Sequence, residues 1–371
     1  MPRIGFLGAF SIDNAGDALV GLATRQQVLA RIAAEPIVLA PTPRARHYRV
    51  DTSEARGLGL PIRAIAPGGP PTWSADLDAL VIGGGGILSL DDDFAAVVEW
   101  GGVPAAWNSL CAQNAPWYLP ACADRYRAIR DACARLAFLS VRNRSTARFL
   151  RGCGVTEPIA LAPDPAIALA LPSPVDGAAL LAEAGLGARP VVGISVGGAI
   201  RDPRAAACFD QLLPALDALD ADLLLFPFGN IYGDDDHQRL AATRLRRARR
   251  FPRPLGPLEL WALIGALDLH VATRLHGLIA AYAQATPVVV LDEYLSDLTG
   301  TSKIREFVVE RELEDRYICP YLGHHATIKL ALAWDQRTAD RARLAAAAAL
   351  DRAALADHFD RLVAALAVHM P

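Results

Sequence analysis

The sequence predicts an α/β protein made of two doubly wound, Rossmann-like domains facing a cleft, and three observations lead there. Short apolar runs alternate with amphipathic stretches of helical length, the pattern of a parallel sheet covered by helices on both faces. The alternation breaks over residues 172–190, where Pro and Gly flank a short helix in "LPSPVDGAALLAEAGLGARP", and then restarts. The chain of 371 residues is about two to three times a typical domain.

The elements follow in order. "RIGFLGA" is an apolar run that reads as the first strand, and "DALVGLATRQQVLARIA" carries Leu19, Leu22, Val28, Leu29 and Ile32 at helical spacing. "EPIVLAP" is a second strand, and "LDALVIGGGG" is a third that ends abruptly in four glycines. "VPAAWNSL" is a strand, "DRYRAIRDACARL" a helix, and "AFLSV" a strand leading into "RNRSTARFLRGCG". After the break come "VVGISVGG" (strand), "AACFDQLLPALDAL" (helix), "DLLLFPF" (strand) and "DDHQRLAATRLRRARR" (helix). "PLELWALIGAL" is a helix, and "PVVVLDE" a late strand. The end of the chain is Ala-rich and helical, with Leu344, Leu350, Leu355, Phe359, Leu362 and Leu366 read as its apolar stripe. This gives an N-terminal domain over 1–172, a C-terminal domain over 190–335 and a helical segment over 336–371.

Composition narrows the function. Hydrophobic residues make up 53% and charged residues 21% of the chain, and the net charge is -3. Such a balance supports a large core and gives no polyanion-binding surface, so nucleic acid is not an expected partner. "MPRIGFLGAF" lacks the apolar core and cleavage site of a signal peptide. No uninterrupted apolar run approaches the roughly 18 residues of a membrane span. The cysteines Cys111, Cys122, Cys133, Cys153, Cys208 and Cys319 show no C-x-x-C pairing, so free thiols in a reducing cytoplasm are expected, and no metal site.

In doubly wound sheets ligands bind beyond the C-terminal ends of strands, so polar residues there are the candidates. Asn14, Gly16 and Asp17 follow the first strand, where a loop becomes a helix. Free N–H groups at that point attract anions, although Asp17 taken alone reads first as a helix cap. Gly84 and Gly85, within "IGGGG", allow close backbone approach. Arg142 follows "AFLSV", placed either for a carboxylate or phosphate or for an ion pair within the fold. "LAPDP" is a rigid turn around Asp164, and Asp234, Asp235 and Asp236 near a helix start read as structural, favouring the helix dipole.

The most specific stretch is "LDLHVATRLHGLIAAYAQATPVVVLDEY". Its first part is a buried strand and its second a small-residue helix, yet Arg274 and His276 sit at the seam. An Arg fork can hold a phosphate while helix amides hold the same anion from another side. His276 in that field can donate a hydrogen bond or move a proton.

The order "NAGD", "VIGGGG", "SVRNRS", "DPAIAL", "TRLHG", "PVVVLDEY" and "SK" resembles the polysaccharide pyruvyl transferase family over about residues 4 to 310. The resemblance implies a GT-B-like fold with the acceptor on the N-terminal side and phosphoenolpyruvate on the C-terminal side. It implies transfer of pyruvate from phosphoenolpyruvate onto two hydroxyls of a sugar or sugar-like acceptor, giving a cyclic ketal. By the same resemblance Arg142, Arg274, Leu275 (through its backbone), His276 and Lys303 hold the donor. The reaction needs a general acid and a general base, and His276 is read as acid or phosphate partner and Asp17 as acceptor-side base. Asn143 stands where the family carries an acidic residue, and "LSDLTGT" separates Tyr294 from Lys303. The basic stretch "TPRARHYRVDTSEARG" is read as a solvated surface or a contact for an anionic acceptor. The expected partners are therefore a small-molecule donor and acceptor, with no cofactor; a homo-oligomer is allowed but not indicated. Two other classes are consistent with the same scaffold. One is a nucleotide-sugar glycosyltransferase, with Asp292 and Glu293 as ribose ligands, and the other is a non-catalytic family member.

Overall fold

The computed structural model describes residues 1–8, 13–41, 62–65, 71–88, 97–112, 123–170, 175–197, 203–231, 234–236, 240, 243, 245–292, 302–323 and 325–370. Two units emerge from its contacts: Met1–Asp13, Asp17–Leu169 and Asp351–Pro371 form the first, and Asn14–Gly16 with Ala170–Leu350 the second.

Up to Leu169 the chain runs β1 (Arg3–Leu7), β2 (Asp13–Asn14), α1 (Ala15–Leu29), β3 (Glu35–Pro41), β4 (Ile62–Ile65), β5 (Ala79–Leu88), β6 (Ala105–Ala112), α2 (Ala123–Cys133), β7 (Phe138–Val141), α3 (Arg144–Gly152) and β8 (Ala160–Leu161), all in the first unit except Asn14–Gly16 at the junction of β2 and α1. Its seven-stranded sheet has the order β4-β3-β1-β5-β6-β7-β8, parallel throughout. Ile4, Phe6 and Leu7, Leu80, Val81 and Ile82, and Ala105 to Trp107 are all buried. That is why these strands read as continuous apolar runs and not as alternating ones.

One expectation fails here. The strand does not end at the glycines: β5 runs through them to Leu88, so Gly84 and Gly85 lie within a strand and not in a turn after it. Gly83 explains how. Its φ is +131°, and a Cβ there would strike the backbone oxygen of Asn108 on β6. Glycine keeps the two strands paired where an L side chain would separate them, and the register slips between Gly85 and Leu88.

The second unit contains α4 (Gly177–Glu183), β9 (Val191–Ser195), α5 (Pro203–Ala218), β10 (Asp222–Leu225), β11 (Gly229–Ile231), β12 (Asp234–Asp235), β13 (Ala248–Arg250), α6 (Pro257–Gly265), β14 (Leu269–Ala272), α7 (Leu275–Ala283), β15 (Val288–Leu291), α8 (Lys303–Glu310), β16 (Tyr317–Ile318) and α9 (Ala326–Asp335). Its six-stranded sheet is ordered β13-β10-β9-β14-β15-β16 and again parallel. Helix α5 packs Ala205, Phe209, Leu212 and Leu216 against Val192, Ile194, Leu223 and Leu225 of the sheet. The stretch expected to be helical through "RARR" differs: Ala248–Arg250 are the edge strand β13. Three residues beside β10 gain a ladder there, and the arginines Arg249 and Arg250 keep that edge charged.

Helix α10 (Arg337–Ala367) closes the described chain. Its residues up to Leu350 group with the second unit and those from Asp351 with the first. Leu344, Leu355, Phe359, Leu362 and Leu366 are buried as the stripe predicts, but Leu350 is 75% exposed. Six residues past Leu344, it has turned well away from that face at about 100° per residue; Ala348 takes the buried position instead.

Within the first unit, His358 Nε2 lies 2.8 Å from Asn108 Oδ1, and Asn108 Nδ2 donates to Thr24 Oγ1 at 2.9 Å. In the second unit, His270 Nε2 meets Ser195 Oγ at 2.8 Å and its ring stacks on Phe226. Burial pushes both imidazoles down from the ordinary 6.5, His358 to about 4 with Arg361 adding to the effect, and His270 to about 3. Below about pH 6.5 the unfolded chain therefore binds more protons than the folded one, so stability falls as pH drops towards 4. His358→Gln is expected to flatten part of that fall, measured as the change in urea midpoint between pH about 7 and about 5.

Candidate active site

In the second sheet the chain leaves β9 in both directions, to β10 and β13 on one side and to β14, β15 and β16 on the other. The switch in strand order lies between β9 and β14, and doubly wound folds bind ligands beyond the strand ends at that point. Arg274 and His276 follow β14 directly. Gly197, just past β9, donates its N–H to Thr273 Oγ1 at 2.6 Å, fixing the two strand ends to each other.

Arg274 is the N-cap residue of α7, with extended backbone (φ -99°, ψ 140°) and no capping bond from its side chain. The guanidinium turns to Asp236: Nε donates to Oδ2 at 2.9 Å and Nη2 donates to Oδ1. Asp236 is fully buried and Arg274 is 7% exposed. Oδ2 of Asp236 also accepts the N–H of Phe228 at 3.0 Å. Phe228 in turn accepts the N–H of Ala15 through its carbonyl at 3.1 Å, which holds the start of α1 in this unit. Asn14 closes the turn, its Oδ1 accepting the N–H of Gly16 at 3.0 Å.

Gly16 lies directly against His276. A Cβ on Gly16 would overlap Nδ1 and Cγ of the imidazole and come within 2.6 Å of its Cβ, so only glycine leaves the ring in place. Two motifs far apart in the sequence, "NAGD" and "TRLHG", thus meet through one backbone-to-ring contact. His276 is half-buried, and Leu275 before it is buried. Arg274 is the N-cap of α7 and His276 its second residue, so a fixed guanidinium and an imidazole both belong to a helix start whose first backbone N–H groups have no partner inside the helix. That combination suits a small anion whose reaction needs a proton moved.

The remaining candidates lie on other elements. Arg142, at the end of β7 in the first unit, donates from Nη1 to Asp164 Oδ2 at 2.6 Å; the pair is buried. Asp164 also accepts the N–H of Ala166 at 3.0 Å. Asn143 serves as N-cap of α3, accepting the N–H of Thr146 at 3.1 Å. Asp17 is 9% exposed in the first turn of α1. Lys303 opens α8 and is half-buried. Ser302 caps that helix, accepting the N–H of Arg305 at 2.9 Å, and donates to Asp292 Oδ2. Tyr317 donates to the same oxygen at 2.6 Å. Asp292, 1% exposed, thereby ties the start of α8 to the end of β15 through Oδ2. Glu293, Tyr294, "LSDLTGT", Cys122 and the basic stretch after Pro41 lie outside the described residues.

Sequence reasoning missed Asp236 and Asp164 as the carboxylates that hold Arg274 and Arg142. Both carried a signal that was read otherwise, one as the last of three aspartates in a row and the other as the Asp of an Asp-Pro turn. Among the described residues no group of three or more His, Cys, Asp or Glu could hold a metal ion, and no helix is long and apolar enough to cross a membrane.

The chain belongs to the polysaccharide pyruvyl transferase family, whose model matches residues 14–293, and it is a transferase. No protein of curated function matches the sequence. The fold is similar to that of S. aureus MnaA solved with UDP, at TM-score 0.58 and 10% identity over 93% of this chain and 91% of that one. It is also similar to a putative UDP-N-acetylglucosamine 2-epimerase from Listeria monocytogenes, at TM-score 0.56 and 11% identity over 93% and 90%. The glycosyltransferase SnogD from Streptomyces nogalater follows at TM-score 0.54 and 14% identity over 98% and 99%. At such identities the likeness is one of fold, and that fold is α/β and GT-B-like.

Proposed function

We propose that the protein transfers pyruvate from phosphoenolpyruvate to two hydroxyls of a sugar or sugar-like acceptor, forming a ketal and releasing inorganic phosphate. The observation that carries this reading is that Arg274, fixed by a buried carboxylate, and His276 stand two residues apart at the start of α7. Phosphoenolpyruvate presents a phosphate and a carboxylate on three carbons. Arg274 and the first amides of α7, the one at Leu275 included, offset part of that charge. Arg142 and Lys303 are proposed as further donor-binding cations, Asn14 and Gly16 as the backbone bracing the site, and Gly84 and Gly85 as close-approach backbone on the acceptor side.

The reaction begins when His276 delivers a proton to the methylene carbon, leaving an oxocarbenium-like C2. A first acceptor hydroxyl adds there, giving its proton to Asp17 as base. The C2–O bond to phosphate then breaks, and the second hydroxyl closes the ketal while its proton leaves with phosphate. One proton enters the new methyl group and two leave the hydroxyls, so the balance closes with inorganic phosphate as the other product. General acid and general base each contribute about 10²–10⁴-fold in such steps.

The route requires cleavage between carbon and oxygen. With phosphoenolpyruvate labelled at its bridging oxygen, all label is expected in the released phosphate and none in the pyruvylated product. The product mass is expected to be that of acceptor plus pyruvate less one water. Label retained on a pyruvate product, or phosphate attached to the acceptor, would show a different reaction.

A further inference from the structure

We propose that Asp236 is a positioning residue that sets two parts of the site at once: the guanidinium of Arg274 and, through Phe228, the Asn14–Gly16 segment against His276. The inference rests on reading Arg274 and His276 as the donor site and adds a residue to it.

The starting observation is a carboxylate with no exposure at all. Burying an ionised carboxylate is costly unless it is paired and hydrogen-bonded. Asp236 is both, accepting from Arg274 Nε, Arg274 Nη2 and the Phe228 N–H. A buried ion pair adds little stability over an apolar pair of the same volume, so stability alone gives no reason to keep one here. Geometry does. Two parallel bonds from one edge of a guanidinium fix its plane, and of its five N–H donors two are committed to that edge. The rest of the group is thereby aimed by Asp236 and not by its own flexible stem.

The third bond extends the effect. Phe228 is buried, as is Phe226 two residues earlier, so this stretch is wedged in the core. Its N–H is held by Asp236 and its carbonyl holds Ala15. Next to Ala15 is Gly16, with no room between its Cα and the His276 imidazole. A shift of Phe228 therefore moves the floor on which the imidazole rests. Asp236 lies 38 residues from Arg274 in sequence, yet one carboxylate keeps the cation and the imidazole in mutual register.

The test uses the full chain in four forms: wild type, Asp236→Asn, Asp236→Ala, and the double variant Asp236→Ala with Arg274→Ala. Phosphate release from phosphoenolpyruvate, the unfolding midpoint, and the His276 ring signal in histidine-labelled protein without any donor are each recorded. Asp236→Asn keeps the volume and is expected to lose about 10²-fold in kcat/KM, the scale of an ångström misplacement. Its unfolding midpoint is expected to fall, because Arg274 is left buried without its counter-charge, but by less than in Asp236→Ala, and its His276 signal is expected to move before donor is added. The double variant leaves no lone buried charge, so it is expected to unfold later than Asp236→Ala yet to recover no activity. Wild-type kcat/KM in Asp236→Asn, or a His276 signal unmoved in both Asp236 single variants, overturns the proposal. If the wild type releases no phosphate from phosphoenolpyruvate, the donor reading falls on its own, while the donor-free His276 signal still decides the role of Asp236.

Discussion

Gly16→Ala is expected to lower kcat by about 10²–10⁴-fold, the share of rate that a positioned proton donor supplies, and His276→Ala by a similar amount. The two substitutions differ in chemistry but converge on one group. Alanine at position 16 removes nothing; it adds a methyl group where the imidazole already lies. The ring must rotate or α1 must lift, and in either case the proton is no longer delivered to the same atom. Donor affinity is expected to change far less than kcat in both variants, because Arg274 and Asp236 are untouched. Gly102→Ala, where an added Cβ meets nothing within 4 Å, serves as the control and is expected to leave kcat unchanged. Steady-state phosphate release checks all three. A Gly16→Ala enzyme with wild-type kcat would mean that the imidazole has no catalytic task.

Arg274→Ala carries the second large effect, on stability as well as on turnover. It leaves Asp236 fully buried without its cation. Breaking a buried pair by removing one partner costs about 3–5 kcal/mol, against the modest cost of most surface changes. Urea denaturation is expected to show that loss, and donor turnover is expected to vanish. Arg274→Lys keeps the charge but cannot make the two-bond fork. It is expected to retain most of the stability and to lose most of the donor binding. Equal donor affinity in the lysine variant and the wild type would remove Arg274 from the binding site.

How much of this could be read beforehand depended on whether the deciding contact was local. Arg274 and His276 stood out because a polar pair interrupts an apolar strand-to-helix seam, and that conflict is visible within ten residues. Arg142 stood out in the same way at the end of β7. Their partners did not. Asp236 sits in "DDD" beside a short hairpin, where acids are ordinary, and nothing local ties it to Arg274. Asp164 sits before a proline, where a turn explains it. Each carboxylate acquires its role only through tertiary contact. The contact of Gly16 with His276 was hidden for the same reason. The two doubly wound sheets were legible from the alternation of apolar runs, because parallel strands are buried on both faces. Three details were not. Strand β5 continues through glycines because β6 pairs with their backbone. Ala248–Arg250 form a strand because β10 offers an edge. Leu350 faces outward because the helical angle overrides its hydrophobicity.

Titration calorimetry with phosphoenolpyruvate on the wild type and on Arg274→Lys bears most directly on the central claim, that a fixed guanidinium beside His276 holds this donor. The account predicts a saturable heat with the wild type in the absence of any acceptor, and a binding curve weakened by at least about tenfold in Arg274→Lys. No heat with the wild type, or the same curve for both proteins, would contradict it. So would saturable binding of a nucleoside diphosphate where phosphoenolpyruvate gives none.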